Sequence, residues 1–265
     1  MQIEWYGQSA FRLAAGDTTV VIDPFGDLSD LKERGIRFDY PPIPAVTADV
    51  VLVTHEHSDH NGIEVVAGDP FVLRSTAGIL ASPIGEVAAI ASEHDEVAGT
   101  QRGQNTIFVF DLDGIRVAHF GDFGQRALRD EQAAAIGATD IVFLPIGGGP
   151  TIDAAQAVAI VERLGPRWVV PMHYRTARLD FLDDAEPFLS RMAHVERLEV
   201  PQFDTAALAA TEARPLVVLL QAPGRSEAAS RRRLSRRLPP SAAGRPRAQS
   251  STHRARGGAA LPRRS

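Results

Sequence analysis

The chain has 265 residues, 44% of them hydrophobic, enough to bury the core of one large domain or two small ones. It contains no cysteine, which excludes disulfides, thiolate zinc sites and a cysteine nucleophile, so any metal must be held by imidazole and carboxylate. The net charge of −5 hides a split: residues 222–265 carry twelve arginines against one acid, Glu227, for +11, which leaves −16 on residues 1–221.

In chain order, short strands are expected at Gln2–Tyr6, Ala10–Ala14 and Thr18–Asp23, punctuated by Gly7 and by Gly16 with Asp17. A proline-rich loop, YPPIPAVTAD, leads into DVVLVT at 49–54, a continuous apolar run of the kind buried on both faces of a sheet. Similar runs follow at 140–145 (DIVFLP) and 167–171 (RWVVP), while Asp113-Gly114 predicts a hairpin between 106–111 and 115–120. Helices are expected at 126–136, 154–164 and 183–192; the second opens with Asp153 and Gln156 in capping-box spacing. Closing strands are expected at 195–200 and 216–220. Strands that come first as a meander and later alternate with helices suit a layered α/β protein. From Ala222 onward periodicity stops, and the Arg, Ala, Pro, Ser and Gly composition predicts a disordered tail after a domain spanning 1–221. No run approaches the roughly 18 apolar residues that span a bilayer, and the start lacks a secretory leader. A cytoplasmic protein with no membrane partner is the expectation.

The sharpest chemical feature is THEHSDH at 54–60, just past the buried run. It sets His55, His57, Asp59 and His60 close together. In an extended segment, residues 55, 57 and 59 point one way. A helix starting at Ser58 would turn His60 toward a neighbouring point. Converging imidazoles and a carboxylate at a strand end are what a divalent cation needs.

HxHxDH after a buried strand resembles the metal motif of the metallo-β-lactamase superfamily. IEWYGQSAF at 3–11, VIDPF at 21–25, RGQNTIFVF at 102–110, HFGDFG at 119–124, LPIGGG at 144–149 and PMHY at 171–174 agree with it. Together they resemble the branch of metal-dependent hydrolases that includes L-ascorbate-6-phosphate lactonase, over about residues 1–205. The resemblance implies an αββα sandwich, two mixed sheets packed between helices. It also implies two divalent metal ions, zinc first, with manganese or iron as alternatives. His55, His57 and His94 would hold one metal; Asp59, His60 and His173 the other; Asp122 would bridge. Asp23 and His119 would support the site from behind the ligands, with His119 the rival of His94 for a ligand's place.

The implied reaction is hydrolysis of a small ester, lactone or phosphoester by a bridging hydroxide, with Asp59 and Asp122 orienting it. Arg175 and Arg178 could meet an anionic substrate group, and the glycines at 146–149 read as a tight connection, since a P-loop's Lys-Ser/Thr is missing. A nuclease or phosphodiesterase of the same fold and a non-enzymatic metal-binding regulator are the alternatives. A small-molecule substrate is the expected partner. The arginine tail lacks interleaved aromatics, which argues against nucleic acid, and a homo-oligomer stays open.

Overall fold

The computed structural model of the chain describes residues 1–208 and 212–224. In chain order its strands are β1 (Gln2–Gly7), β2 (Ala10–Ala15), β3 (Thr18–Ile22), β4 (Val46–Thr47), β5 (Val50–Val53), β6 (Val66–Ala67), β7 (Phe71–Arg74) and β8 (Gly78–Ser82). There follow β9 (Gly85–Glu93), β10 (Gln104–Leu112), β11 (Ile115–His119), β12 (Ile141–Pro145), β13 (Trp168–Met172), β14 (Val195–Arg197), β15 (Gln202–Asp204) and β16 (Leu216–Leu219). The helices are α1 (Ser29–Glu33), α2 (Asp130–Ile136), α3 (Ala154–Leu164), α4 (Glu186–Leu189) and α5 (Thr205–Leu208). None of them is long and apolar enough to cross a membrane.

Two large mixed sheets result, with β4 and β6 as a separate parallel pair. One has the order β15-β1-β2-β3-β5-β7 and the other β14-β16-β13-β12-β11-β10-β9-β8. The hairpins β1 to β3 and β8 to β11 pair antiparallel, whereas β3, β5 and β7, and β11, β12 and β13, run parallel. The period-two rule explains why DVVLVT is apolar throughout. Val50 and Leu52 join the core shared with Ile107, Phe108 and Phe110, whereas Val51 and Val53 enter a second cluster with Phe25, Phe38 and Tyr40. Each such buried side chain contributes roughly 1.5–3 kcal/mol relative to exposure. The hairpin at Asp113-Gly114 forms with φ of +57° and +70°, as a type I′ turn demands.

Several expectations need correction. No helix begins at Ser58; residues 58–60 form a turn closed by His60 N donating to His57 O at 2.9 Å. The helix expected from 126 starts only at Asp130, because the Gln132 side chain is spent on Arg129 N and Gln125 and fixes the entry there. The helix expected over 183–192 shrinks to α4. Asp183 N is used by Gly147 O at 2.8 Å, and Pro187 in the first turn has no donor of its own. Strands β4, β6, β7, β8, β9 and β15 were not anticipated; in β8 and β9 alanines and glycines dilute the β signal, and the other four are only two to four residues long. The capping box of α3 forms as expected, Gln156 N donating to Asp153 Oδ1 at 2.9 Å. Ala222 packs on both apolar clusters and Pro223 is buried, so the described body extends past Gln221. The tail expectation for residues 225–265 lies outside the described residues.

Candidate metal centre

Parallel β3 and β5 end side by side, which brings Asp23 beneath the 54–60 loop. Asp23 is fully buried with φ +46° and accepts three hydrogen bonds. Thr54 N donates to Oδ1 at 2.8 Å, Thr54 Oγ1 to Oδ2 at 2.8 Å, and His60 Nδ1 to Oδ2 at 2.9 Å. Because Thr54 Oγ1 spends its own hydrogen on Asp23, it accepts from His55 Nδ1 at 3.0 Å. One carboxylate therefore fixes the tautomers of two histidines.

The same logic holds on the other side of the cluster. His94 follows β9, and its Nδ1 donates to Pro150 O at 3.0 Å. His173 follows β13, and its Nδ1 meets Thr151 Oγ1 at 3.3 Å, a hydroxyl that itself donates to Gly148 O. Four imidazoles thus set Nδ1 against outer oxygens and turn Nε2 inward. They converge on Asp122 Oδ2, with Nε2 of His94 and His173 at 3.1 Å, His60 at 3.3 Å and His55 at 3.9 Å. His57, exposed at the mouth, sets its Nδ1 3.0 Å from His55 Nε2. Asp59 stands 3.6 Å from His60 Nε2.

Asp122 is aimed by a tight turn. Its N donates to Asn105 Oδ1 at 3.1 Å, and Asn105 Nδ2 donates to Phe120 O and Ser92 Oγ, both at 2.8 Å. Ser9 Oγ donates to Asp122 Oδ1 at 3.2 Å. Gly121 is required: a Cβ there would fall 2.6 Å from Thr54 Oγ1, on a φ of +54°. The glycines after β12 serve the same packing, since a Cβ on Gly147 would come within 2.3 Å of His173 O. They form a strand-to-helix connection laid against the site.

Burial would raise the Asp122 pKa, but the facing His173 and His60 hold it well below the carboxylate range. Burial would lower that of His60, but Asp122, Asp59 and Asp23 push it well above the usual imidazole value. Burial and the neighbouring His60 press His55 the other way, well below that value. The donor set fits a divalent cation. Ligand atoms of His55, His57 and His94 all lie within 4.8 Å of one another, as do those of His55, His60 and Asp122. His60 Nε2, buried 3.3 Å from Asp122 Oδ2, has no hydrogen-bond partner among the described residues, the state of a nitrogen meant for a cation.

Comparison with known proteins decides the family. The sequence model of the β-lactamase superfamily domain matches residues 2–173. A UPF0173 metal-dependent hydrolase of Natranaerobius thermophilus is 31% identical over 214 residues, covering 70% of this chain and 89% of the relative. Another, from Thermococcus kodakarensis, is 32% identical over 66% of this chain and 85% of its own. The chain belongs to the metallo-β-lactamase superfamily, among the UPF0173 metal-dependent hydrolases. A crystal structure from Thermotoga maritima, assigned as a Zn-dependent hydrolase of that superfamily, superposes with a TM-score of 0.64 at 29% identity. It covers 83% of this chain and 98% of its own.

In this hydrolase His94 and His119 differ in what their nitrogens touch. His119 Nε2 donates to Ser9 O at 3.0 Å, and its Nδ1 accepts from Gly121 N at 3.2 Å. Both nitrogens are consumed by backbone, and the ring packs between Phe11 and Phe143. Arg175 is exposed and 3.9 Å from Asp184, and Arg178 lends its carbonyl to Asp39 N. Sequence reasoning missed Thr54, Thr151, Ser9 and the Pro150 carbonyl. Asn105 stood in a recognised motif, but its hold on the Asp122 turn showed only in three dimensions.

Two expected results follow from this geometry. Thr54→Val keeps the volume but removes the hydroxyl between Asp23 and His55, so metal affinity in a chelator competition should fall about 10- to 100-fold; unchanged affinity would dismiss the Asp23–Thr54–His55 relay. Metal affinity should also climb with pH. Asp122, Asp59 and Asp23 make His60 hold its proton to higher pH than a free imidazole, and a cation must displace that proton, so rising pH weakens the competitor and falling pH strengthens it. The same titration repeated between about pH 6 and pH 9 checks this, and a flat profile would contradict it.

Proposed function

We propose that this hydrolase works with two divalent cations, zinc by preference, on a small ester, lactone or phosphoester. The observation that carries the reading is the convergence of four Nε2 atoms, each freed by an outer oxygen on Nδ1, around the buried Asp122 carboxylate. His55, His57 and His94 would hold one cation, Asp59, His60 and His173 the second, and Asp122 would serve both. The group of His55, His57 and His94 matches the first half of that division, and the group of His55, His60 and Asp122 sets Asp122 beside it. Imidazole with carboxylate suits zinc, manganese or iron, and the relative from Thermotoga maritima assigned as Zn-dependent favours zinc.

The bound cations would supply Lewis acidity toward the scissile group and toward water. The chain's own residues do the rest. Asp59, the more exposed of the two carboxylates, and Asp122 orient the attacking water, and Asp59 takes up its proton. Ser9 Oγ is spent on Asp122 and is no nucleophile. Arg175 and Arg178, shortly after His173, offer cationic contacts to an anionic substrate group. The likeness of the motifs to L-ascorbate-6-phosphate lactonase favours lactones within the substrate class. A hydrolysis screen over lactones, phosphodiesters and thioesters with the metal-loaded protein tests the reading. Turnover that vanishes on chelation is expected, and turnover that survives it would overturn the proposal.

A further inference from the structure

We propose that Gln8 is a positioning residue for the metal centre, acting through Asp59; this rests on the reading of Asp59 as a metal ligand. Gln8 sits at the tip between β1 and β2 with φ +50°, a conformation that L side chains rarely adopt, and it is only 1% exposed. Its backbone is held from several sides. Gln8 O accepts from Trp5 Nε1 at 3.0 Å and from His173 N at 3.4 Å, and the preceding Gly7 lies so close to the Tyr40 ring that no side chain fits there. From this fixed base Gln8 Nε2 donates to Asp59 Oδ2 at 3.3 Å.

The amide has one sensible assignment. Turning it over would set Oε1 against a carboxylate, so Nε2 faces Asp59 and Oε1 is left buried without a hydrogen-bond partner among the described residues. A residue selected for stability would not combine a left-handed backbone with an unsatisfied buried carbonyl. A residue selected to aim an N–H at Asp59 would. Asp59 depends on it, because its carboxylate accepts no other hydrogen bond among the described residues and its side chain is 20% exposed. His55, His60, His94 and His173 each have an outer oxygen to fix them. Gln8 is the equivalent tether for Asp59, and it holds Oδ2, the oxygen that stands 3.6 Å from His60 Nε2.

Gln8→Gly removes the amide while suiting φ +50° better than glutamine does, and Gln8→Leu removes it while keeping volume. Protein stripped by chelator is titrated with zinc against a chromogenic chelator and loaded with cobalt(II) for its visible spectrum, which reports ligand geometry. Gln8→Gly should melt, metal-free, at or above the wild-type temperature. Both variants should bind the weaker-held zinc about 10- to 100-fold less tightly and show altered cobalt absorption. In an Asp59→Ala background, Gln8→Gly should have no further effect. Wild-type affinity and spectrum in Gln8→Gly, or an equal loss with and without Asp59, would overturn the role. Wild-type protein that takes up no tight zinc would instead remove the metal-centre reading beneath it.

Discussion

Asp122→Asn should empty or weaken the centre and lower turnover by at least about a hundredfold, the scale on which a site loses its electrostatic positioning. The substitution keeps shape and most packing but deletes the one anion that four imidazole nitrogens face within 3.9 Å. It also places an amide N–H2 or an uncharged oxygen where Nε2 of His94 and His173 come to 3.1 Å, so the ring of imidazoles loses the negative charge it faces. The surrounding turn is held by Asn105 and Gly121 through backbone contacts that do not involve the carboxylate, so the variant should fold. Metal content and turnover measured on the same preparation check this. Full metal content with wild-type turnover in Asp122→Asn would mean that the carboxylate is merely a turn former.

His94→Ala and His119→Ala should separate cleanly, although only Phe120 and Gly121 stand between His119 and Asp122. His94 has one nitrogen on Pro150 O and the other facing Asp122, so alanine there should strip the cation proposed to lie among His55, His57 and His94. His119 has both nitrogens on backbone, from Ser9 O and Gly121 N, so alanine there should leave both cations in place. It would loosen the turn that aims Asp122 and lose about tenfold to a hundredfold in rate. If His119→Ala empties a site and His94→Ala does not, the ligand assignment is exchanged.

Much of the fold was readable because the apolar runs obey simple periods. Val50–Val53, Ile141–Pro145 and Trp168–Met172 are buried along their whole length, as continuous valine-rich segments require. The strands β8 and β9 were not readable, because GILAS and GEVAAIASE carry small residues on faces that are partly exposed. At the site, THEHSDH announced imidazole and carboxylate chemistry by local spacing alone. What stayed hidden were the acceptors that set each tautomer. Asp23 and Thr54 are 31 residues apart, and His94 and Pro150 56. No local pattern encodes a pairing at that range. The same distance effect hid the answer on His119. Its two partners come from the β1–β2 tip and its own turn, and only the folded sheet shows that neither nitrogen is left over.

The most direct test of the two-cation centre is metal analysis of protein purified without added metal and then reconstituted with zinc, manganese or iron. About two equivalents per chain are expected for the best-bound metal, with His55→Ala and His173→Ala each lowering that figure. Wild-type protein that retains no more than traces of all three metals would contradict the account at its centre.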